Sequence, residues 1–220
     1  MPQVLRGTMG FVVPDLEALK ARMKRVAPGL EGTKFSWKEA GKAVEATCPW
    51  GNRVRCHAPA PEFGDTELGM VYVDFEAPAG SADGIARFYT EIMGAPAKVI
   101  QRNGAPSARV PVGRGQALYY TETQAKIPPY DGHHIEVYIA DFSGPYKKLL
   151  DRGLITMETD AHEWRFQKIV DPKSNQPLFE IEHEVRSLQH PLFARPLVNR
   201  NPLQTNTKYV RGQDAFRGTY

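Results

Sequence analysis

Histidine and carboxylate side chains alternate with apolar ones in two segments of the second half of the chain. Within residues 134–139, His134, Glu136 and Tyr138 occupy every second position, and glutamates do the same within residues 180–184. Successive side chains of a strand point to opposite faces, so each segment has one polar face. An imidazole near carboxylates is suited to binding a divalent ion or to transferring protons. An ordinary solvent-facing sheet shows the same alternation, which leaves both interpretations open.

These polar faces lie in segments that share one order of local signals, and the order occurs three times. In the first segment a short apolar run at residues 9–13 precedes an apolar stripe at helical spacing over residues 16–26, and Pro28 and Gly29 follow. Three further apolar runs separated by glycines complete the unit. The second segment opens at residues 69–75 and the third at residues 134–139. A repeat of this length indicates one strand-helix-three-strand unit used three times, and the alternative is an unrelated α+β domain with chance periodicity.

The remaining strands are predicted from apolar alternation bounded by turn residues. The predicted strands are residues 34–38, 43–47 and 53–57 in the first segment, 98–102, 108–112 and 116–121 in the second, and 155–158, 164–170 and 178–185 in the third. The predicted domains are residues 1–64, 65–128 and 129–186, one module each, and residues 187–220, an extended C-terminal tail rich in Pro, Asn, Arg and Gly.

Composition narrows the class of protein. The chain has 220 residues, is 41% hydrophobic and carries a formal net charge of +3. Lys and Arg are mixed with Asp and Glu rather than clustered, so no nucleic-acid partner is expected. A run of about 18 apolar residues is absent, which predicts no membrane span. The first residues lack the apolar stretch of a signal peptide, and a cytoplasmic location is the default expectation.

The third segment carries the clearest resemblance to a known family. Residues 132–141, with two histidines before an apolar strand and an aspartate after it, resemble the opening strand of a vicinal-oxygen-chelate module. Val170-Asp171-Pro172, followed by residues 179–182, resembles the closing hairpin of such a module. Residues 115–122 are similar to the last strand of the second module. This superfamily includes glyoxalase I, the bleomycin-resistance proteins and the extradiol dioxygenases.

The resemblance implies an α+β fold of three repeated βαβββ modules, two of which pair into a cup-shaped sheet. We expect the second and third modules to form the cup, because the first has Thr8 and Arg55 at the positions of metal ligands. The expected role of the first module is structural, and it would pair across a two-fold axis to give a homodimer.

The resemblance also implies metal ligands, which it places on the first and last strands of the paired modules. These positions are Met70, Glu122, His134 and either Glu180 or Glu182. His134, Glu122 and one of the two later glutamates suit a divalent ion such as Zn, Mn, Ni, Co or Fe(II). Met70 departs from the pattern, since a thioether is a poor ligand for a hard ion.

The implied activity is that of a metal-dependent enzyme of the glyoxalase class, a lyase or isomerase acting on a small oxygenated substrate. The metal would stabilise an enolate-like intermediate as a Lewis acid, with Glu122 or Glu180 transferring a proton. The alternative is a non-catalytic binding protein of the bleomycin-resistance type, and an extradiol-type dioxygenase ranks below both. The residues expected to contact substrate are Met70, Tyr72, Tyr120, Glu136, Tyr138, Trp164 and Arg165.

Overall fold

The structure is a computed structural model that describes residues 2–193, 201, 203 and 204. Most of the predicted C-terminal tail therefore lies outside the described residues. The chain divides into two compact units. Of the described residues, the first unit comprises residues 2–133 and 168–181, and the second comprises residues 134–167, 182–193, 201, 203 and 204.

The first segment folds as one strand, one helix and three strands. Its elements are β1 Gly7–Val12, α1 Leu16–Val26, β2 Ser36–Ala40, β3 Ala43–Thr47 and β4 Arg53–His57. Asp15 begins the helix, because its Oδ1 accepts a hydrogen bond from the Ala18 amide at 2.8 Å. This bond satisfies one of the amides that a helix N-terminus leaves unpaired.

The second segment repeats the same order of elements. They are β5 Gly69–Pro78, α2 Ala82–Glu91, β6 Lys98–Arg102, β7 Ala105–Gly113 and β8 Gln116–Thr123. The apolar stripe of α2 includes Ile85 and Phe88, both of which are fully buried. The strand-helix-three-strand unit predicted for both segments is thus present.

The first two segments form a single sheet of eight strands, in the order β2-β3-β4-β1-β5-β8-β7-β6. The two modules meet where β1 runs antiparallel to β5, and within each module the first and last strands pair in parallel. The expectation that the second and third modules pair is therefore wrong, whereas the structural role expected for the first module stays a prediction. Glycines on β1 allow the close approach of β5, because a Cβ atom at Gly7 would overlap the Asp74 carbonyl group and one at Gly10 would overlap the Tyr72 ring.

The core of the first unit lies between this sheet and α2. Phe75 and Tyr120 stack with ring centroids 5.0 Å apart, and Phe179 contacts both rings. The Tyr120 and Tyr89 hydroxyls are 2.5 Å apart, so two fully buried phenols satisfy each other. Because these side chains pack on the α2 side of the sheet, the alternate residues of β5 and β8 face the opposite side.

The third segment contains α3 Ser143–Leu150 and a four-stranded sheet in the order β10-β11-β12-β9. Its strands are β9 His134–Ile139, β10 Ile155–Thr159, β11 Glu163–Val170 and β12 Pro177–Ser187. β9 and β12 pair in parallel, as the first and last strands of the other two modules do. Within the described residues, the helices are all too short or too polar to cross a membrane.

Candidate functional site

One row of side chains crosses the concave face of the eight-stranded sheet. Thr8 on β1 pairs with Arg53 on β4 and with Asp74 on β5. Asp74 pairs in turn with Tyr119 on β8, and Tyr119 pairs with Arg109 on β7. Directly paired residues share a face, so these five side chains lie on the face opposite the helix layer.

The neighbouring row is built around a glycine. Gly10 on β1 lies between Arg55 on β4 and Tyr72 on β5. A Cβ atom at Gly10 would stand 2.2 Å from the Tyr72 ring, which shows that this ring lies directly over the glycine. Because Gly10 has no side chain, the Tyr72 ring can pack directly over its backbone at the junction of the two modules.

These rows form the floor of a cavity of about 870 Å³ within the first unit. A volume of this order is typical of sites for small organic molecules. The lining combines aromatic rings with charged groups. The aromatic residues are Trp37, Phe63, Tyr72 and Tyr119; the cationic ones are Lys38, Arg53, Arg55, Arg102 and Arg109; and the anionic ones are Glu45, Glu62 and Asp74.

Arg102 links the charged and aromatic parts of the cavity. Its Nε donates to Asp74 Oδ2 at 2.6 Å, and its guanidinium lies 3.9 Å from the Tyr119 ring centroid and 4.8 Å from that of Tyr72. Asp74 also accepts a hydrogen bond from the Thr121 hydroxyl at 2.6 Å. The ion pair and the cation–π contacts together fix both tyrosine rings.

His57, at the end of β4, lies beside the Tyr72 hydroxyl, with 3.0 Å between Nε2 and the phenol oxygen. Burial lowers the pKa of His57, and the positive charges of Arg55 and Arg102 lower it further. Burial raises the pKa of Tyr72. Both groups are therefore neutral near pH 7, and together they present a polar, uncharged hydrogen-bonding pair to the cavity.

Replacing Gly10 by alanine tests this geometry. The new methyl group overlaps the Tyr72 ring, so we expect Gly10→Ala to displace that ring and to destabilise the protein by about 1–3 kcal/mol. Urea unfolding measures the change. Gly29→Ala is the matched control, because a Cβ atom there meets nothing within 4 Å. Equal stability of the two variants would show that the Tyr72 ring does not pack over Gly10.

Several residues predicted to act in the site lie elsewhere in the first unit. Tyr120 is fully buried in the helix-side core, which shows that the face predicted for β8 was wrong by one residue. Glu122 Oε1 accepts from the Ala82 amide at 2.9 Å, at the start of α2. Met70 and Glu180 are exposed, and neither lines the cavity. Among the predicted contact residues, Tyr72 is the one that lies in the cavity.

The polar face predicted for the third segment is present in the second unit, where it forms an ion-pair network. Arg165 binds Glu182 at 2.8 Å and Glu184 at 2.6 Å. Arg186 binds Glu136 at 2.7 Å, and its Nη1 donates to the Tyr138 hydroxyl at 3.1 Å. Three residues predicted to contact substrate, Glu136, Tyr138 and Arg165, are thus paired within the protein.

The other two predicted residues of this unit differ in their surroundings. His134 Nε2 lies 3.9 Å from a Glu184 carboxylate oxygen, and its side chain is half-exposed. Trp164 is buried on the opposite face, where its indole nitrogen donates to the Phe142 carbonyl at 3.2 Å. Trp164 therefore belongs to the core beside α3 rather than to a binding face.

The donor groups of the cup do not fit a divalent metal ion. In the first and second modules the resemblance implies metal ligands at Thr8, Arg55, Met70 and Glu122, and of these only Thr8 and Arg55 line the cavity. A fixed guanidinium repels a cation, and the Glu122 carboxylate is engaged at a helix terminus. Throughout the part of the chain that the structure describes, no three His, Cys, Asp or Glu side chains are grouped to hold a metal. The metal set predicted from sequence stays a prediction.

Sequence reasoning missed several of the residues that line the cup. Arg53, Arg55 and His57 follow one another at every second position of β4, which is the alternation that marks one face of a strand. That signal was available in the sequence. Arg102 and Arg109 gave no comparable signal, because their relation to Tyr119 depends on the pairing of β6, β7 and β8.

Comparison with known proteins identifies the fold. No family model and no curated protein matches the sequence. Glyoxalase I of Zea mays superposes with a TM-score of 0.54 at 13% identity, over 81% of this chain and 66% of that one. A Bacillus subtilis protein provisionally called a dioxygenase gives a TM-score of 0.51 at 17% identity, over 83% of this chain and 62% of that one.

The chain spans less than two thirds of the length of both proteins, and identities this low bear on the fold alone. The superposition agrees with the α+β class, the repeated modules and the cup-shaped sheet predicted from the sequence. This chain has the fold of the vicinal-oxygen-chelate superfamily.

Proposed function

We propose that the cup formed by the first and second modules binds a small organic molecule directly through side chains, without a metal ion. The function corresponds to the binding-module alternative, of the bleomycin-resistance type, rather than to a metal-dependent enzyme. The observation that carries the proposal is the cavity of about 870 Å³, which is lined by arginines and tyrosines. Its carboxylates and its histidine are not grouped as the ligands of a metal ion within the described residues. Small-molecule sites are typically lined by apolar and aromatic side chains together with a few fixed polar groups.

The polar groups of the cup are suited to orienting a ligand. Arg102 holds the rings of Tyr72 and Tyr119 nearly perpendicular, at 82°, with centroids 5.9 Å apart. A ring held in this way loses little conformational freedom when a ligand stacks against it. The neutral pair of His57 and Tyr72 supplies a hydrogen-bonding group for a hydroxyl or carbonyl oxygen of the ligand.

A thermal-shift screen of metabolites and aromatic compounds, run with EDTA, tests the proposal. We expect at least one compound to raise the melting temperature, because a ligand that binds only the folded state stabilises it. Zn, Mn, Ni, Co and Fe(II), added alone to chelator-treated protein, should leave it unchanged. Ligand binding that vanishes with EDTA would instead support the metal-dependent enzyme. In that case, loss of the metal effect in His134→Ala would support the predicted metal set.

The proposed partners are a small-molecule ligand and a second copy of the chain, and the homodimer needs a new basis. The sequence argument for a homodimer depends on an unpaired first module, yet β1 of that module pairs with β5 of the second within one chain. Homodimerisation therefore stays a prediction, which light scattering at micromolar concentration would test.

A further inference from the structure

The charges of the cup do not balance. Five cationic and three anionic side chains line it. Glu45 forms ion pairs with both Lys38, at 3.2 Å, and Arg55, at 3.3 Å, and Asp74 forms one with Arg102. Arg53 is neutralised by Glu76, which lies outside the lining. Counting Glu76, the site carries one positive charge in excess.

Arg109 is the arginine of the cup that is open to an anionic ligand. It is half-buried on β7, and none of the described residues forms an ion pair or a hydrogen bond with its guanidinium. The other arginines of the cup each have a carboxylate partner within 3.3 Å. A half-buried cation without a counterion is less stable than a paired one, so this position favours an anion from solution.

The surroundings of Arg109 define the shape of that anion. Arg109 and Tyr119 are direct cross-strand neighbours on the cup face. Because Arg102 lies against the Tyr119 ring, that ring is held in place beside the unpaired guanidinium. A flat ring that stacks on Tyr119 would bring an attached carboxylate to Arg109, whose planar fork matches a carboxylate geometrically.

On the basis of the proposed binding function, we infer that the ligand is an aromatic molecule with a single negative charge, of the carboxylate class, and that Arg109 binds its carboxylate. One excess positive charge matches one carboxylate. The tyrosine and tryptophan rings of the lining match an aromatic body, and the neutral His57–Tyr72 pair lies further along the floor.

Calorimetric titration with 2-naphthoate and its neutral analogue 2-naphthamide tests the inference. The two probes have the same ring system and differ in charge. We expect wild-type protein to bind 2-naphthoate at least about 10-fold more tightly, as a charge-assisted hydrogen bond provides. Arg109→Gln should abolish this preference while leaving 2-naphthamide binding unchanged. Arg22→Gln, which removes an exposed arginine of α1, is the matched control and should behave as wild type.

Salt dependence gives a second measurement that needs no variant. Raising the ionic strength should weaken 2-naphthoate binding and leave 2-naphthamide binding unchanged, because only the charged probe is screened. Equal affinity for both probes in wild-type protein, or an unchanged preference in folded Arg109→Gln, would overturn the inference but not the proposed function. The proposed function fails separately, if no compound of the thermal-shift screen binds in the presence of EDTA.

Discussion

A chain that lacks residues 1–64 is expected to lose cooperative unfolding and to aggregate. The deletion removes four of the eight strands of the first unit, including β1, which lies between β4 and β5. It leaves β5, a strand of ten residues, as an open edge, and it exposes Val71 and Tyr72, which are both buried in the intact chain. A long unprotected edge strand is a template for intermolecular pairing. Circular dichroism during urea unfolding and gel filtration measure the effect.

Adding residues 1–64 as a separate polypeptide provides the control. If the loss arises from the missing half of the sheet, the added fragment should restore a soluble complex with a cooperative transition. A truncated chain that is monomeric and unfolds as cooperatively as the full chain would show that the first module is dispensable. That result would favour the pairing of the second and third modules that the sequence suggested.

Removing Arg102 should have the second large effect. In Arg102→Ala, Asp74 loses its charge partner while its side chain remains only 12% exposed, and two tyrosine rings lose the guanidinium that packs on them. We expect a loss of about 2–3 kcal/mol of stability, since an uncompensated, largely buried carboxylate is costly. The affinity for the ligand should fall as well, because Arg102 no longer fixes the rings of Tyr72 and Tyr119. Chemical denaturation and the thermal-shift assay measure the two effects.

Two further variants separate the ion pair from general destabilisation. Arg114→Ala removes a pair with Asp65 whose side chains are 90% and 80% exposed, and it should leave stability unchanged. Asp74→Asn combined with Arg102→Ala should recover part of the lost stability, because it removes the carboxylate charge that Arg102 no longer neutralises. If Arg114→Ala and Arg102→Ala lower the free energy of unfolding equally, the Arg102–Asp74 pair does not stabilise the cup.

The elements of the fold could be predicted from the sequence to within a few residues. The clearest cases are residues 43–47, 53–57, 98–102 and 134–139, which are the strands β3, β4, β6 and β9 with the predicted bounds. These segments are short and they are bounded by turn residues. Local signals of this kind are sufficient to define a strand.

The pairing of modules could not be predicted, because all three modules present similar edges. The alternating charged residues of the third segment favour a binding site there. In the structure, however, Arg165 and Arg186 form ion pairs with glutamates of their own unit. Tyr119 and Tyr120 are adjacent and equally aromatic, so alternation alone did not decide which of them faces the cup. Only the pairing of Tyr119 with Asp74 and Arg109 makes that distinction.

Hydrogen–deuterium exchange with the tightest ligand from the thermal-shift screen, measured in the presence of EDTA, tests the central claim most directly. The claim is that the cup of the first and second modules holds the ligand without a metal. It predicts slower exchange in peptides from β1, β4, β5 and β8, the strands that form the cup floor. Protection confined to residues 134–139 and 182–187, or protection that requires an added divalent ion, would contradict it.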